Sequence, residues 1–179
     1  DNDLAEKLLG NCFTLLVGLA VVLTIVFYVS APTLLRLFGA SDVTLTYATD
    51  YARIYILGSF FVLIVLGMNT FITTQGFAKI SMMTTIIGAV INIILDPIFI
   101  FALGMGVKGA ALATVLSQTV GSVWILSFLT GKKTILRLKR SIMHLDPTVF
   151  GPCLALGISA FVVLSTESLL SISFSISLS

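Results

Sequence analysis

The chain has 179 residues, 58% of them hydrophobic and 10% charged, with a mean hydropathy of +1.13. Soluble domains carry about 25% charged residues, so a water-soluble enzyme is excluded, and a formal net charge of +2 is too small to suggest a nucleic-acid partner. At roughly 20 residues per membrane span plus short loops, the length accommodates about five helices, and the chain reads as an all-α integral membrane protein.

Charge-free windows locate the spans in chain order, near 10–35, 50–74, 80–103, 108–130 and 148–175. Continuous helix is the backbone expected in each, because unpaired peptide groups in lipid cost several kcal/mol apiece. Windows 80–95 and 97–107 are each short for a span and are separated only by Asp96, so they read as one helix with an acid inside it. Residues 36–49, with Gly39, Ser41 and Asp42, read as a polar loop, and Asp50 and Arg53 as a local ion pair at the start of the next helix. QGFAK (75–79) and LGMGVKG (103–109) read as tight turns. The longest connection, 131–146, holds Lys132, Lys133, Arg137, Lys139 and Arg140. Ile135, Leu138, Ile142 and Leu145 recur there at three- and four-residue spacing. That pattern fits an amphipathic helix with its basic face on anionic headgroups, and the composition fits an ordinary basic linker equally.

Lysine and arginine set an expected orientation. The N-terminal tail, the turn 75–79 and the loop 131–146 hold seven of them, whereas the other side holds Arg36, Arg53 and Lys108. The positive-inside rule places the first set, and with it the N-terminus, in the cytoplasm. Cys12 and Cys153 each lie in an apolar run without a CxxC spacing, so they read as small buried hydrophobes. His144 stands alone in the basic loop and reads as a solvated side chain, so no metal site, disulfide framework or catalytic triad is expected. Trp124, in mid-helix, reads as a packing residue. The opening DNDLAEK is acidic and unlike a secretory signal, and the sequence reads as part of a longer chain.

Asp96 is the most informative residue. A carboxylate within a span costs at least ~2.5–3.5 kcal/mol on insertion scales, so it has a partner or a task. Steps of four place Thr84, Gly88, Asn92 and Asp96 on one helix face. Pro97 has no N–H to give the Ile93 carbonyl, which favours a kink beside the acid. A carboxylate, an amide oxygen and a freed carbonyl form an oxygen-rich group suited to a hard cation or a proton. The turn 103–109 is short enough to make the flanking spans antiparallel neighbours. Asp96 is then ~12 Å and Thr114 ~9 Å of helix from it, at similar depth. Thr114 and Gln118 share a stripe, beside a stripe of small residues (Gly109, Ala113, Ser117, Gly121) that allows close helix packing. Hydrogen-bonding glue, at ~0.6 kcal/mol per contact, is the simpler reading of Gln118 alone. Glu167 fits either the last span or a frayed end.

The run Asn92-Ile-Ile-Leu-Asp96-Pro97 followed by Gly109-Ala-Ala-Leu-Ala-Thr114 closely resembles the multidrug and toxic compound extrusion (MATE) family. LLRLFGAS, YARIYILG, TTQGFAKISM and GISAFVVLSTESLLSIS are similar to the same family. The resemblance implies part of a twelve-helix, two-bundle transporter, roughly its third to seventh helices. Residues 1–130 would be four helices of the first bundle, 131–147 a basic cytoplasmic linker, and 148–179 the opening helix of the second. It implies a multi-pass plasma-membrane antiporter rather than an enzyme, driven by Na⁺ or H⁺ and without a cofactor. Its substrates would be amphipathic or cationic small molecules. The family's cation site maps onto Asn92, Asp96 and Thr114, and an acid that some members carry in the seventh helix maps near Glu167. The family's first helix, which gives that site another acid, has no counterpart here, and the remainder of the transporter is the expected partner.

Three rivals stand beside this reading. A lipid-linked oligosaccharide flippase of related fold calls for several basic residues to hold a pyrophosphate, and none lies near the centre of a span. An intramembrane aspartyl protease needs two facing aspartates, and Asp96 is the one aspartate within a span. The third is a truncated fragment with no transport of its own.

Overall fold

A computed structural model of the chain describes residues 2–143 and 146 and, beyond these, 151, 154, 157–158, 161–163, 165–167 and 170. Four helices within it are long and apolar enough to cross a membrane. They are α1 (Asn2–Leu37), α2 (Asp42–Thr74), α3 (Ala78–Pro97) and α4 (Val107–Thr130). A π-helical turn, Ile98–Ala102, prolongs α3, and a 3₁₀ turn, Arg140–Ile142, lies in the connection after α4. The expected fifth span falls largely outside the described residues, although those described between 151 and 170 are helical. His144 and Cys153 also lie outside them, while Cys12 is half-buried in α1.

The helices overrun their charge-free windows. With 36 residues, α1 is ~54 Å long, against ~30 Å of hydrocarbon, so its first turns stand clear at the linker end. At the opposite end α2 begins at Asp42, which corrects the reading of 36–49 as a loop: only the stretch around 38–41 is non-helical. The cause is local. Ser41 is extended (φ −71°, ψ 159°) and its hydroxyl accepts the Thr44 N–H, capping a helix that already carries Asp42 in its first turn.

Asp50 and Arg53 do not pair with each other. Asp50 meets Lys108 at the start of α4, 2.9 Å away, and Arg53 lies over the Tyr28 ring of α1 at 5.5 Å. Each therefore ties α2 to a different neighbour. Trp124, expected to pack, is 41% exposed.

α2 is the central helix, packed on α1, α3 and α4. At the linker end the interior is apolar: Leu9, Ile64, Met68, Ile72, Ile125 and Leu129 close over one another, and Phe77 meets Phe128 edge to face. The small-residue stripe of α4 is buried as expected, but it serves two helices. Gly109 abuts the Phe99 backbone of the π turn, whereas Gly121 faces Val65 of α2 and Thr84 of α3. Gly104 (φ +63°) and Gly106 (φ +55°) give the α3–α4 turn its left-handed backbone, which only glycine adopts without strain.

The linker is not an amphipathic helix. From Lys133 to Lys139 side chains alternate, with Thr134, Leu136 and Leu138 turned inward and Lys133, Ile135, Arg137 and Lys139 outward. A period of two is that of an extended segment. Side chains on the helix ends hold it there. The Gln75 Oε1 accepts from the Thr134 hydroxyl (2.7 Å) and from the N–H groups of Ile135 (3.1 Å) and Leu136 (2.8 Å). Glu6 accepts from the Arg137 N–H and pairs with Lys139, Asn11 accepts the Asp146 N–H, and Leu138, 5% exposed, enters the apolar core. These external partners replace the helical backbone bonds, and the segment is best described as a basic strap across one end of the bundle.

Candidate functional site

The polar group forms where α3 meets α4. Asn92 and Asp96 are one turn apart, and the Asn92 Nδ2 is 3.5 Å from the Asp96 Oδ1. The same nitrogen is 3.5 Å from the Thr114 Oγ1 on α4. Both contacts are at the long limit for a hydrogen bond. The Thr114 hydroxyl gives its single proton to the Ala110 carbonyl at 3.1 Å, so toward Asn92 it is an acceptor.

The backbone below Asp96 departs from α-helix. Pro97 cannot donate to Ile93, the Ile98 N–H turns to Leu95, and the chain widens into the π turn closed by Leu103 N–H to the Ile98 carbonyl (2.9 Å). The expected kink thus takes the form of a proline followed by a π segment, a feature frequent at functional sites. Gly109 lets α4 approach closely: a Cβ there would lie 2.7 Å from the Phe99 carbonyl carbon and oxygen.

Adjoining Asn92 and Thr114 is a cavity of about 290 Å³ between α2, α3 and α4. Gln118 lines it, as do Thr84, Gly88, Ser117 and Gly121. The i, i+4 face read from Thr84 through Gly88 to Asn92 is therefore one wall of a real space. Two of its hydroxyls are turned the same way: Thr84 donates to the Ile80 carbonyl (3.2 Å) and Ser117 to the Thr114 carbonyl (2.8 Å). With those protons committed, each oxygen offers the cavity only lone pairs. The Asn92 and Gln118 amides add both donors and acceptors, so the lining is polar and uncharged. Among the described residues, no lysine or arginine lines it.

The structure thus brings together Asn92, Asp96 and Thr114, with Gln118 on the adjoining wall. Glu167 is helical and exposed and takes no part in that hydrogen-bonded group. What the sequence did not reveal is the third wall, Val62, Val65 and Leu66 of α2. These are ordinary span residues, and only tertiary packing places them at the site.

Known proteins add a context. The family model described as MatE matches residues 1–98. The Multidrug export protein MepA of Staphylococcus haemolyticus is 34% identical over 126 residues, 69% of this chain and 27% of that protein. The protein of the same name from Staphylococcus saprophyticus is 29% identical over 149 residues, 83% of this chain and 33% of that one. This chain therefore spans about a third of the length of the curated relatives it matches.

Among solved structures, an inward-facing multidrug resistance MATE family transporter of the MOP superfamily superposes with TM-score 0.75 at 27% identity, covering 88% of this chain and 41% of that one. An outward-facing one gives 0.76 at 31% identity, covering 84% and 34%. The stretch matched by the family model, residues 1–98, includes α1, α2 and α3 whole, and the multi-pass apolar architecture fits that membrane setting. The chain belongs to the MatE family of membrane transporters.

Proposed function

We propose that the chain is part of the first bundle of a cation-coupled exporter of amphipathic or cationic small molecules, with Asp96 taking up and releasing Na⁺ or H⁺. The observation that carries the reading is the Asp96–Asn92–Thr114 group, set beside a proline and π turn and adjoining a polar, uncharged cavity. One carboxylate plus neutral oxygens suits a single hard cation or a proton. Loose 3.5 Å contacts leave room for the group to tighten when that cation is bound. The relatives' names, multidrug export protein, support the substrate class.

Coupling requires the cation to bind the inward and outward states unequally. The described helices match an inward-facing and an outward-facing transporter almost equally, at 0.75 and 0.76. A near-equal match to both states is consistent with a bundle that moves as a body. The difference in affinity is then set by what the rest of the protein places against Asp96 and by the packing of the π turn.

In this reading residues 1–130 lie in the first bundle, 131–147, which contains the strap, is the cytoplasmic linker, and 148–179 opens the second bundle. The N-terminus faces the cytoplasm at the plasma membrane, and Glu167 is a further polar position in the second bundle. A pyrophosphate-linked flippase substrate fits less well, since no lysine or arginine among the described residues lines the cavity to pair with a phosphate. The decisive test is Asp96→Asn in the full-length protein, assayed in proteoliposomes with imposed Na⁺ or H⁺ gradients. Drug binding should persist while gradient-driven efflux is lost. Undiminished efflux by that variant would overturn the mechanism.

A further inference from the structure

We propose that the outward row of the strap is a binding surface for anionic phospholipid headgroups, independent of how the cation site works. The alternation that buries Thr134 and Leu138 turns Lys133, Arg137 and Lys139 the other way, with Ile135, 54% exposed, among them. Lys132 is exposed beside them and its carbonyl accepts from the Arg137 guanidinium, so these cations lie close together. Lys79, exposed at the start of α3, adds charge at the same end of the bundle.

Height decides what this row meets. Arg137 and Lys139 contact Glu6, the Ile142 carbonyl abuts Gly10, and the Asp146 N–H reaches Asn11. Residues 134–136 are fixed by Gln75, directly after the last residue of α2. The strap therefore lies where the charge-free run of α1 begins and α2 and α4 end. That is the boundary between hydrocarbon and water, the level of lipid phosphates. A row of cations around one exposed isoleucine suits that boundary: the ammonium and guanidinium groups pair with phosphate and Ile135 enters the acyl edge. Among the described residues, Lys139 is the member of this row in direct ion-pair contact with an acid, Glu6; Arg137 feels that carboxylate only at longer range, and Lys132, Lys133 and Arg137 keep their direct pairing capacity for the lipid.

The test uses the full-length protein in nanodiscs of phosphatidylcholine, with and without phosphatidylglycerol. Enrichment of phosphatidylglycerol on the protein is read by native mass spectrometry, together with the melting temperature. Lys132→Gln/Lys133→Gln/Arg137→Gln should lower that enrichment by well over about fivefold, since one basic residue at an anionic surface alone contributes roughly that factor. It should keep the parental melting temperature in pure phosphatidylcholine, because Gln75, Glu6 and Lys139 are untouched. The charge-preserving Lys132→Arg/Lys133→Arg/Arg137→Lys should retain the enrichment. Each single Gln substitution should lower it by a smaller step, so the reading does not depend on the triple variant folding.

Arg36→Gln, at the far end of α1, should leave enrichment unchanged. Unchanged enrichment in the triple Gln variant would overturn the proposal, as would its loss in the charge-preserving one. So would inorganic phosphate that displaces the lipid fully at matched charge, since the surface would then be a site for soluble anions.

Discussion

The amide nitrogen of Asn92 stands 3.5 Å from the carboxylate of Asp96 on its own helix and 3.5 Å from the hydroxyl of Thr114 on the next. One side chain thus joins the acid of α3 to α4, and because Thr114 spends its proton on Ala110 the link runs in one direction. Thr114→Val keeps the shape and removes the acceptor. Stability should change by less than ~1 kcal/mol, as for other polar contacts between membrane helices. Gradient-driven efflux by the full-length protein should fall several-fold, and Thr114→Ser should restore it. Efflux by Thr114→Val equal to the parent would reduce the contact to packing.

Two glycines of one stripe should respond differently to the same change. A Cβ at Gly109 would sit 2.7 Å from the Phe99 carbonyl, against backbone that has nowhere to move without disturbing the π turn. At Gly121 it would meet Val65 at 3.4 Å and Thr84 at 3.7 Å, ordinary van der Waals contact. Gly109→Ala should therefore cost ~1–3 kcal/mol through overpacking, read as a lower melting temperature in detergent. Gly121→Ala should melt within error of the parent. Equal melting of the two variants would contradict the spacing of α3 and α4 described above.

Gln75 holds the strap through one oxygen that accepts three hydrogen bonds, from Thr134, Ile135 and Leu136. Gln75→Leu preserves the bulk and leaves the Ile135 and Leu136 N–H groups unmatched, while the Thr134 hydroxyl keeps the Leu136 carbonyl at 3.0 Å, at a cost of about 1–3 kcal/mol. The strap should then open locally while the helices stay packed. Hydrogen exchange at residues 135–138 should accelerate at least tenfold with little change in the middle of α2. Unchanged exchange there would mean that Glu6, Asn11 and the burial of Leu138 hold the strap without Gln75.

How much of the fold and site is legible in the sequence follows from which interactions are local. Asp96, Asn92 and Thr84 are spaced by multiples of four, and the short turn fixes Thr114 opposite them, so the polar face can be read from spacing alone. The α2 wall cannot, because Val62 and Leu66 resemble every other span residue. Capping by Ser41 is present in the sequence but is outweighed by the glycine and polar residues around it. The strap misleads for a clearer reason. Ile135, Leu138 and Ile142 carry a helical spacing, yet the backbone donors that a helix would satisfy internally go instead to Gln75 and Glu6, some 60 and 130 residues earlier. The pairing of Asp50 with Lys108 rather than Arg53 is likewise a tertiary choice, settled by where α4 begins.

Glu6 makes the strap sensitive to acid. Its side chain is 12% exposed, and hydrogen bonding to Lys139, then to the Arg137 N–H, holds its carboxyl below the ordinary glutamate value. A carboxyl depressed by folding contributes its full stabilisation above the unfolded value, about 4.3, and loses it as pH falls through the lower folded one. The parent should therefore melt higher than Glu6→Gln at neutral pH, and the gap should close as the pH drops below that range. Because Lys139 is half exposed, the gap should also shrink in high salt. A gap that persists unchanged at acid pH would show that Glu6 acts through packing rather than charge, and Lys139→Gln melted alongside it would then show no pH dependence either.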